Sequence, residues 1–232
     1  NILNFFLLSI SEKNFDKKEI EHKKLDVFIQ SQLKVNNFFS NILGWFLTTI
    51  LGPVIVFFKN NGLSIGIAIL SFIFLFKIGE AFLGRMSLIF YKEIGFTKSD
   101  IGIFSKGLGW ITTISFTLIG GLFTIKLGII RAVFISGIFM ALTNLLFAIL
   151  FWSGKDYLIF SIAVIFDDIA AAFATVAFVA LISNLVDRNY TATQYALLAS
   201  IGTLGRTLLA SSSGSLIDAL NGEWGVFFIL TT

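Results

Sequence analysis

Long apolar runs separated by short polar connections fill the chain from about residue 65 onward. Five of these runs, at 65–91, 101–123, 131–152, 157–185 and 195–220, match the length of a bilayer-crossing helix. About 20 residues at 1.5 Å rise cover the roughly 30 Å hydrocarbon core. The connections 92–100, 124–130, 153–156 and 186–194 are short. Successive helices must therefore alternate in direction, which predicts an all-α bundle.

The pattern differs upstream. Residues 1–10 are apolar and read as the end of a transmembrane helix, so the chain reads as a piece of something larger. Residues 11–41 are rich in Lys, Glu, Asp, Asn and Gln, with Ile20, Leu25, Phe28, Ile29 and Leu33 at roughly helical spacing. That spacing predicts an amphipathic helix on the membrane surface. The run 42–58 contains Gly52-Pro53 and lies near the lower limit for spanning, so it reads as interfacial or partly inserted. The expected organisation is a helix end at 1–10, a cytoplasmic linker at 11–64, and a bundle at 65–232 that is incomplete at its end.

Composition narrows the class. The chain is 56% hydrophobic and 13% charged with one Pro, and its mean hydropathy is +0.89. These values exclude a soluble globular domain and a disordered chain, leaving an integral membrane protein. With no Cys, thiol chemistry and thiolate metal sites are absent; the one His, His22, sits in a Lys-rich stretch and offers no metal site. The basic residues of 11–41 adjoin apolar segments, so anionic lipid headgroups fit them better than nucleic acid. If 42–58 does not cross, ten Lys and Arg residues (Lys13, Lys17, Lys18, Lys23, Lys24, Lys34, Lys59, Lys126, Arg131 and Arg188) share one side. Lys92, Lys98 and Lys155 take the other, which places the long polar segment in the cytoplasm.

Four charges sit deep inside the apolar runs: Lys77, Glu80, Asp168 and Arg206. A charge at the centre of a spanning helix costs on the order of 2.5–3.5 kcal/mol on the mildest scale, so such residues face a polar interior. Lys77, Glu80, Ala81 and Gly84 fall on one helix stripe, with small residues beside the charges. Lys77 with Glu80 reads either as cavity lining or as a structural i, i+3 ion pair. Asp167 and Asp168 project about 100° apart and cannot both face one ligand atom. Asp168 shares its stripe with Ala171, Ala172 and Thr175, and the carboxyl left without a cation is a candidate proton carrier. Asp167, Asp168 and Glu80 are therefore the coupling candidates, and a buried pairing with neighbouring helices is the alternative. Arg206, with Gly202, Ala210 and Ser213 on its face, presents a planar fork suited to carboxylates. It is either a substrate contact or a fixed partner of Asp168 or Glu80. Lys106, near a span end, is a further candidate contact or a snorkelling cation. Of the Ser211–Ser215 cluster, Ser213 is the one plausible ligand contact.

Two sets of motifs carry a resemblance. Gly120-Gly121-Leu122-Phe123-Thr124-Ile125-Lys126-Leu127-Gly128-Ile129-Ile130-Arg131 resembles a degenerate form of the major facilitator loop G-x-x-x-D-R-x-G-R-R, with Ile125 where the Asp stands. Its physical reading is a glycine-packed turn whose cations bond helix ends or a carboxylate. The segments Phe76–Ala81, Gly95–Gly102, Lys106–Gly109, Ala141–Asn144, Thr175–Ala180 and Thr191–Leu198, followed by Leu204–Thr207, are similar in order and spacing to the second half of AmpG-type anhydromuropeptide permeases. Glu80 stands where that family usually has Asp, and Arg85 is an added charge.

The resemblance implies a major facilitator bundle that imports anhydromuropeptides from periplasm to cytoplasm, driven by protons, for peptidoglycan recycling. It implies a bacterial inner-membrane location, an N-terminal half of the same transporter as partner, and neither enzymatic chemistry nor a cofactor. Gly121, Lys126, Gly128 and Arg131 would form a gating loop. Arg206, Lys77, Glu80, Asp168, Lys106 and Ser213 would line the substrate site. A related permease for an acyl-CoA or sugar, and a non-transporting receptor or scaffold, are the alternatives.

Overall fold

The computed structural model describes residues 52–187 and 191–232, and every regular element among them is helical. In chain order these are α1 (52–61), α2 (Leu63–Leu75), α3 (Ile78–Ile94), α4 (Lys98–Ile101), a π-helical segment (Gly102–Leu108), α5 (Gly109–Leu127), α6 (Ile129–Ser153), α7 (Tyr157–Leu185), α8 (Thr191–Ser211), α9 (Ser213–Ala219) and α10 (Trp224–Leu230). The expectations for 1–10, for 11–41 and for residues 42–51 lie outside the described residues. Residues 52–58, the remainder of the 42–58 run, belong to α1.

Among the described residues, four helical stretches are long and apolar enough to span a membrane: Leu63–Ile94, Lys98–Leu127, Ile129–Ser153 and Tyr157–Leu185. Three of them extend the expected spans by a few residues at each end, and the fourth coincides with the expected 157–185. The fifth expected run, 195–220, is divided between α8 and α9 at Ser212. There the hydroxyls of Ser212 and Ser213 donate to the carbonyls of Leu209 and Ala210 at 2.7 and 2.6 Å, competing with the helical ladder. The connection expected at 124–130 shrinks to Gly128, whose φ of 82° reverses the chain between α5 and α6. Gly95, at φ 102°, closes α3 by donating its N–H to the Lys92 and Tyr91 carbonyls, and a Thr97–Asp100 capping box opens α4.

The described residues fall into two compact units. In the first, drawn from 52–67 and 186–197, the Gln194 side chain donates to the Pro53 carbonyl at 2.8 Å and accepts from the Asp187 N–H at 2.6 Å. The second comprises Ala68–Leu185 and Leu198–Thr232. One end of it is an aromatic core of Phe90, Phe147, Phe160, Trp224, Phe227 and Phe228, with Phe90 and Phe228 meeting edge to face at 4.7 Å. Elsewhere small residues let helices approach. Ala170, Ala174 and Ala177 of α7 are fully buried, and Gly120 of α5 lies where a Cβ would meet the Phe173 ring at 3.0 Å. Ile111, Leu118, Leu122, Ile130, Phe134 and Leu158 point outward, an exterior suited to hydrocarbon.

One polar contact ties α10 to the end of α3: the buried Trp224 indole donates to Glu93 Oε2 at 2.6 Å. Glu93→Leu would strand that N–H and is expected to cost about 1–3 kcal/mol. A lowered melting temperature of the detergent-purified protein would register it.

Candidate functional site

The span Leu63–Ile94 is broken at its centre. The helical ladder runs to Phe76, whose N–H bonds the Phe72 carbonyl at 2.8 Å, and is taken up again by Ala81 N–H on the Lys77 carbonyl at 3.1 Å. Lys77 itself, at φ −102° and ψ 18°, occupies the sparsely populated bridge between helical and extended backbone. Neither Pro nor Gly stands at Phe76-Lys77. What meets the chain there is α8. Gly205 lies against the Phe74 carbonyl so closely that any Cβ would overlap that oxygen, and Gly202 abuts Phe178 and Ile73. A broken helix in mid-span is tolerated where its backbone lines protein or a polar cavity.

Charges gather at this break. Lys77 Nζ lies 2.8 Å from Thr175 Oγ1 on α7 and 3.0 Å from Glu80 Oε2. Arg206 Nη2 is 3.8 Å from Glu80 Oε1. Glu80 occupies the first turn of α3, where a carboxylate complements the positive helix end. Its Oε2 sits within ion-pair distance of Lys77 yet at an angle that makes no hydrogen bond, so that buried oxygen is held by charge alone. Lys77 and Glu80 are 14% and 18% exposed, whereas the Arg206 side chain is 49% exposed. Among the described residues, its long contact to Glu80 leaves the guanidinium fork otherwise uncommitted. Gly84, one turn along α3, lies beside Arg206: a Cβ on this glycine would stand 3.9 Å from the Arg206 Nη2, in ordinary van der Waals contact.

The adjacent aspartates of α7 turn to opposite neighbours. Asp168 faces α5: its Oδ2 lies 2.7 Å from the position a Cβ on Gly109 would take, and that buried oxygen has no hydrogen-bond partner. Lys106, exposed within the π-helical segment directly before Gly109, is the cation whose charge acts on it. Wide π turns are rare and cluster at functional positions. Asp167 faces α6, where Thr143 Oγ1 lies 3.2 Å from its Oδ1. Thr175 shares the Asp168 stripe two turns on, so α7 contributes to both the break cluster and the α5 contact.

The other expected positions lie elsewhere. Ser213 is fully buried with its hydroxyl bonded to the Ala210 carbonyl, a packing role at the α8–α9 junction. Lys126 and Arg131 are exposed and flank the Gly128 turn, and Gly121 has open space around it. Among the described residues no group of His, Asp or Glu is arranged to hold a metal ion. The sequence alone does not mark Thr143, Gly109 or the packing of Gly205. Their partners are distant along the chain, and their one local signal is that each falls within a motif segment, Ala141–Asn144, Lys106–Gly109 or Leu204–Thr207.

No family model matches the chain. Curated relatives do. A Rickettsia conorii protein named as the transporter AmpG 4 is 30% identical over 230 residues, 99% of this chain and 50% of that protein. The anhydromuropeptide permease of Escherichia coli K12 is 30% identical over 183 residues, covering 78% of this chain and 36% of the permease. A Rickettsia prowazekii protein named as the transporter AmpG 3 is 33% identical over 178 residues, 77% of this chain and 42% of that protein. The chain thus spans half or less of the length of these relatives.

Proposed function

Because this multi-pass membrane chain belongs with the AmpG-type permeases, we propose that it forms the second half of a proton-coupled importer of anhydromuropeptides, acting in peptidoglycan recycling. The transporter sits in the bacterial inner membrane with residues 11–64 as its cytoplasmic linker. An N-terminal half of the same protein completes the cavity. The observation that carries the reading is the Lys77–Glu80–Arg206 cluster at the mid-span break, since half-open helices at the bilayer centre are where secondary transporters bind their cargo.

The division of labour follows from exposure and charge. Arg206, the most open of the three, offers its fork to the carboxylates of the peptide stem. Lys77 is oriented by Thr175 and Glu80, so it adds a fixed positive charge without a long side chain sweeping the cavity. Asp168 and Lys106 line the second polar patch, and Asp167, Asp168 and Glu80 are the carboxyls available for coupling. Lys126 and Arg131 around Gly128 gate the cytoplasmic face by bonding helix ends in one conformation and releasing them in the other.

Uptake decides between this and its competitors. In cells lacking their own permease, the full-length protein is expected to restore accumulation of labelled anhydromuropeptide, and an uncoupler to abolish it. Preferential uptake of an acyl-CoA or a sugar would reassign the substrate. No uptake of any ligand by well-expressed protein would leave a receptor or scaffold.

A further inference from the structure

The Thr143 hydroxyl stands between two oxygens. It is 1% exposed, 2.8 Å from the carbonyl of Met140 on its own helix and 3.2 Å from Asp167 Oδ1 across the α6–α7 contact. A hydroxyl has one proton and two lone pairs. It can donate to only one of these oxygens at a time.

Both protonation forms of Asp167 are nevertheless served. When the side chain is a carboxylate, the hydroxyl proton turns to Oδ1, and the Met140 carbonyl keeps its ordinary place in the helix. When the side chain is a carboxylic acid, its own O–H donates to Thr143 Oγ1 and the hydroxyl proton turns to Met140. Interconversion needs rotation of one O–H bond and no movement of either helix. A partner that can serve a single form stabilises it at the expense of the other. This one does not, so the proton can come and go without leaving a buried polar group unpaired.

The surroundings make Asp167 the carboxyl for which that matters. Asp168 follows it on α7, and the Glu80 charge on α3 acts on it as well. The Tyr91 phenol, also on α3, feels the charge of both aspartates. Lys106 acts on Asp168, and Lys77 and Arg206 are in contact with Glu80. Asp167 is thus coupled by charge to a member of each of the two polar patches.

We propose that Thr143 is the positioning residue for proton exchange at Asp167, its hydroxyl reorienting to bond the acid and the carboxylate in turn. The assignment deepens the proton-coupled reading given above and rests on it. The Thr143→Ser protein should behave as wild type, because the hydroxyl is kept. The Thr143→Val protein keeps the volume but loses the hydroxyl. It is expected to shift the pH profile of uptake and to cut gradient-driven accumulation about tenfold, within the usual range for coupling between linked sites. Asp167→Asn presents an amide that donates to Thr143 as the neutral acid does. It should lose accumulation against a gradient while substrate exchange, which needs no net proton movement, falls far less.

The measurement is made on the full-length protein in vesicles, comparing accumulation under an imposed pH gradient with counterflow exchange at equal pH. An unchanged pH profile and accumulation in Thr143→Val would overturn the assignment, as would undiminished accumulation in Asp167→Asn. These results differ from failure of the underlying reading, in which wild-type protein itself would ignore the gradient, and Thr143 would then have no such role.

Discussion

Arg206→Ala is expected to cut anhydromuropeptide accumulation by one to two orders of magnitude while leaving the amount of protein in the membrane near wild type. The two halves of this expectation have different physical sources. A hydrogen-bonded contact to a charged group contributes about 1.5–3 kcal/mol, and a planar fork that grips a carboxylate with two bonds lies at the strong end. The structural contribution of the same side chain is small. It is half exposed, and its contact with Glu80 is 3.8 Å long, the kind of pair that adds about 0–1 kcal/mol. Arg206→Lys should recover part of the loss, since it restores the charge without the planar fork. Radiolabel uptake paired with membrane quantification checks both. Normal uptake by Arg206→Ala would remove the residue from the substrate site.

The next largest effect is expected at Gly205. Its missing side chain is what lets α8 touch the main chain at Phe74, and a backbone carbonyl cannot swing aside as a side chain can. Gly205→Ala is therefore expected to destabilise by at least about 1–3 kcal/mol, the range for overpacked sites. Gly205→Val should exceed it. The effect should also reach function, because pushing α8 outward carries the adjoining Arg206 away from Glu80 and from the break. Gly121→Ala is the comparison for melting temperature, since nothing lies within 4 Å of the position its Cβ would take, and it should melt close to wild type. If Gly205→Ala melted with it, the close approach of α8 would not be what shapes the break.

These two positions show what could be read from the chain and what could not. The spans at 101–123, 131–152 and 157–185 were legible because each packs some 20 apolar residues between polar ends, a local property. The Lys77–Glu80 proximity was legible for the same reason, since three residues along the chain fix it. The break at Phe76-Lys77 was not, because neither residue is a helix breaker and the backbone that meets the chain there, at Gly205, belongs to another helix. Thr143 was invisible in the same way: its partner is 24 residues distant and meets it only when α6 and α7 pack. Ser213 is a different case. Its spacing puts it on a helical stripe with Arg206, but the helix is interrupted at Ser212 and the Ser213 side chain is buried at that junction, bonded to the Ala210 carbonyl.

The most direct measurement of a substrate role for the break cluster is binding of two ligands to the purified full-length protein: an intact anhydromuropeptide and the same molecule with its stem carboxylates amidated. Wild-type protein should bind the intact ligand at least about tenfold more tightly, a difference of about 1.4 kcal/mol. Arg206→Ala should bind both alike. Equal affinity of the wild-type protein for the two would contradict recognition of those carboxylates by the cluster.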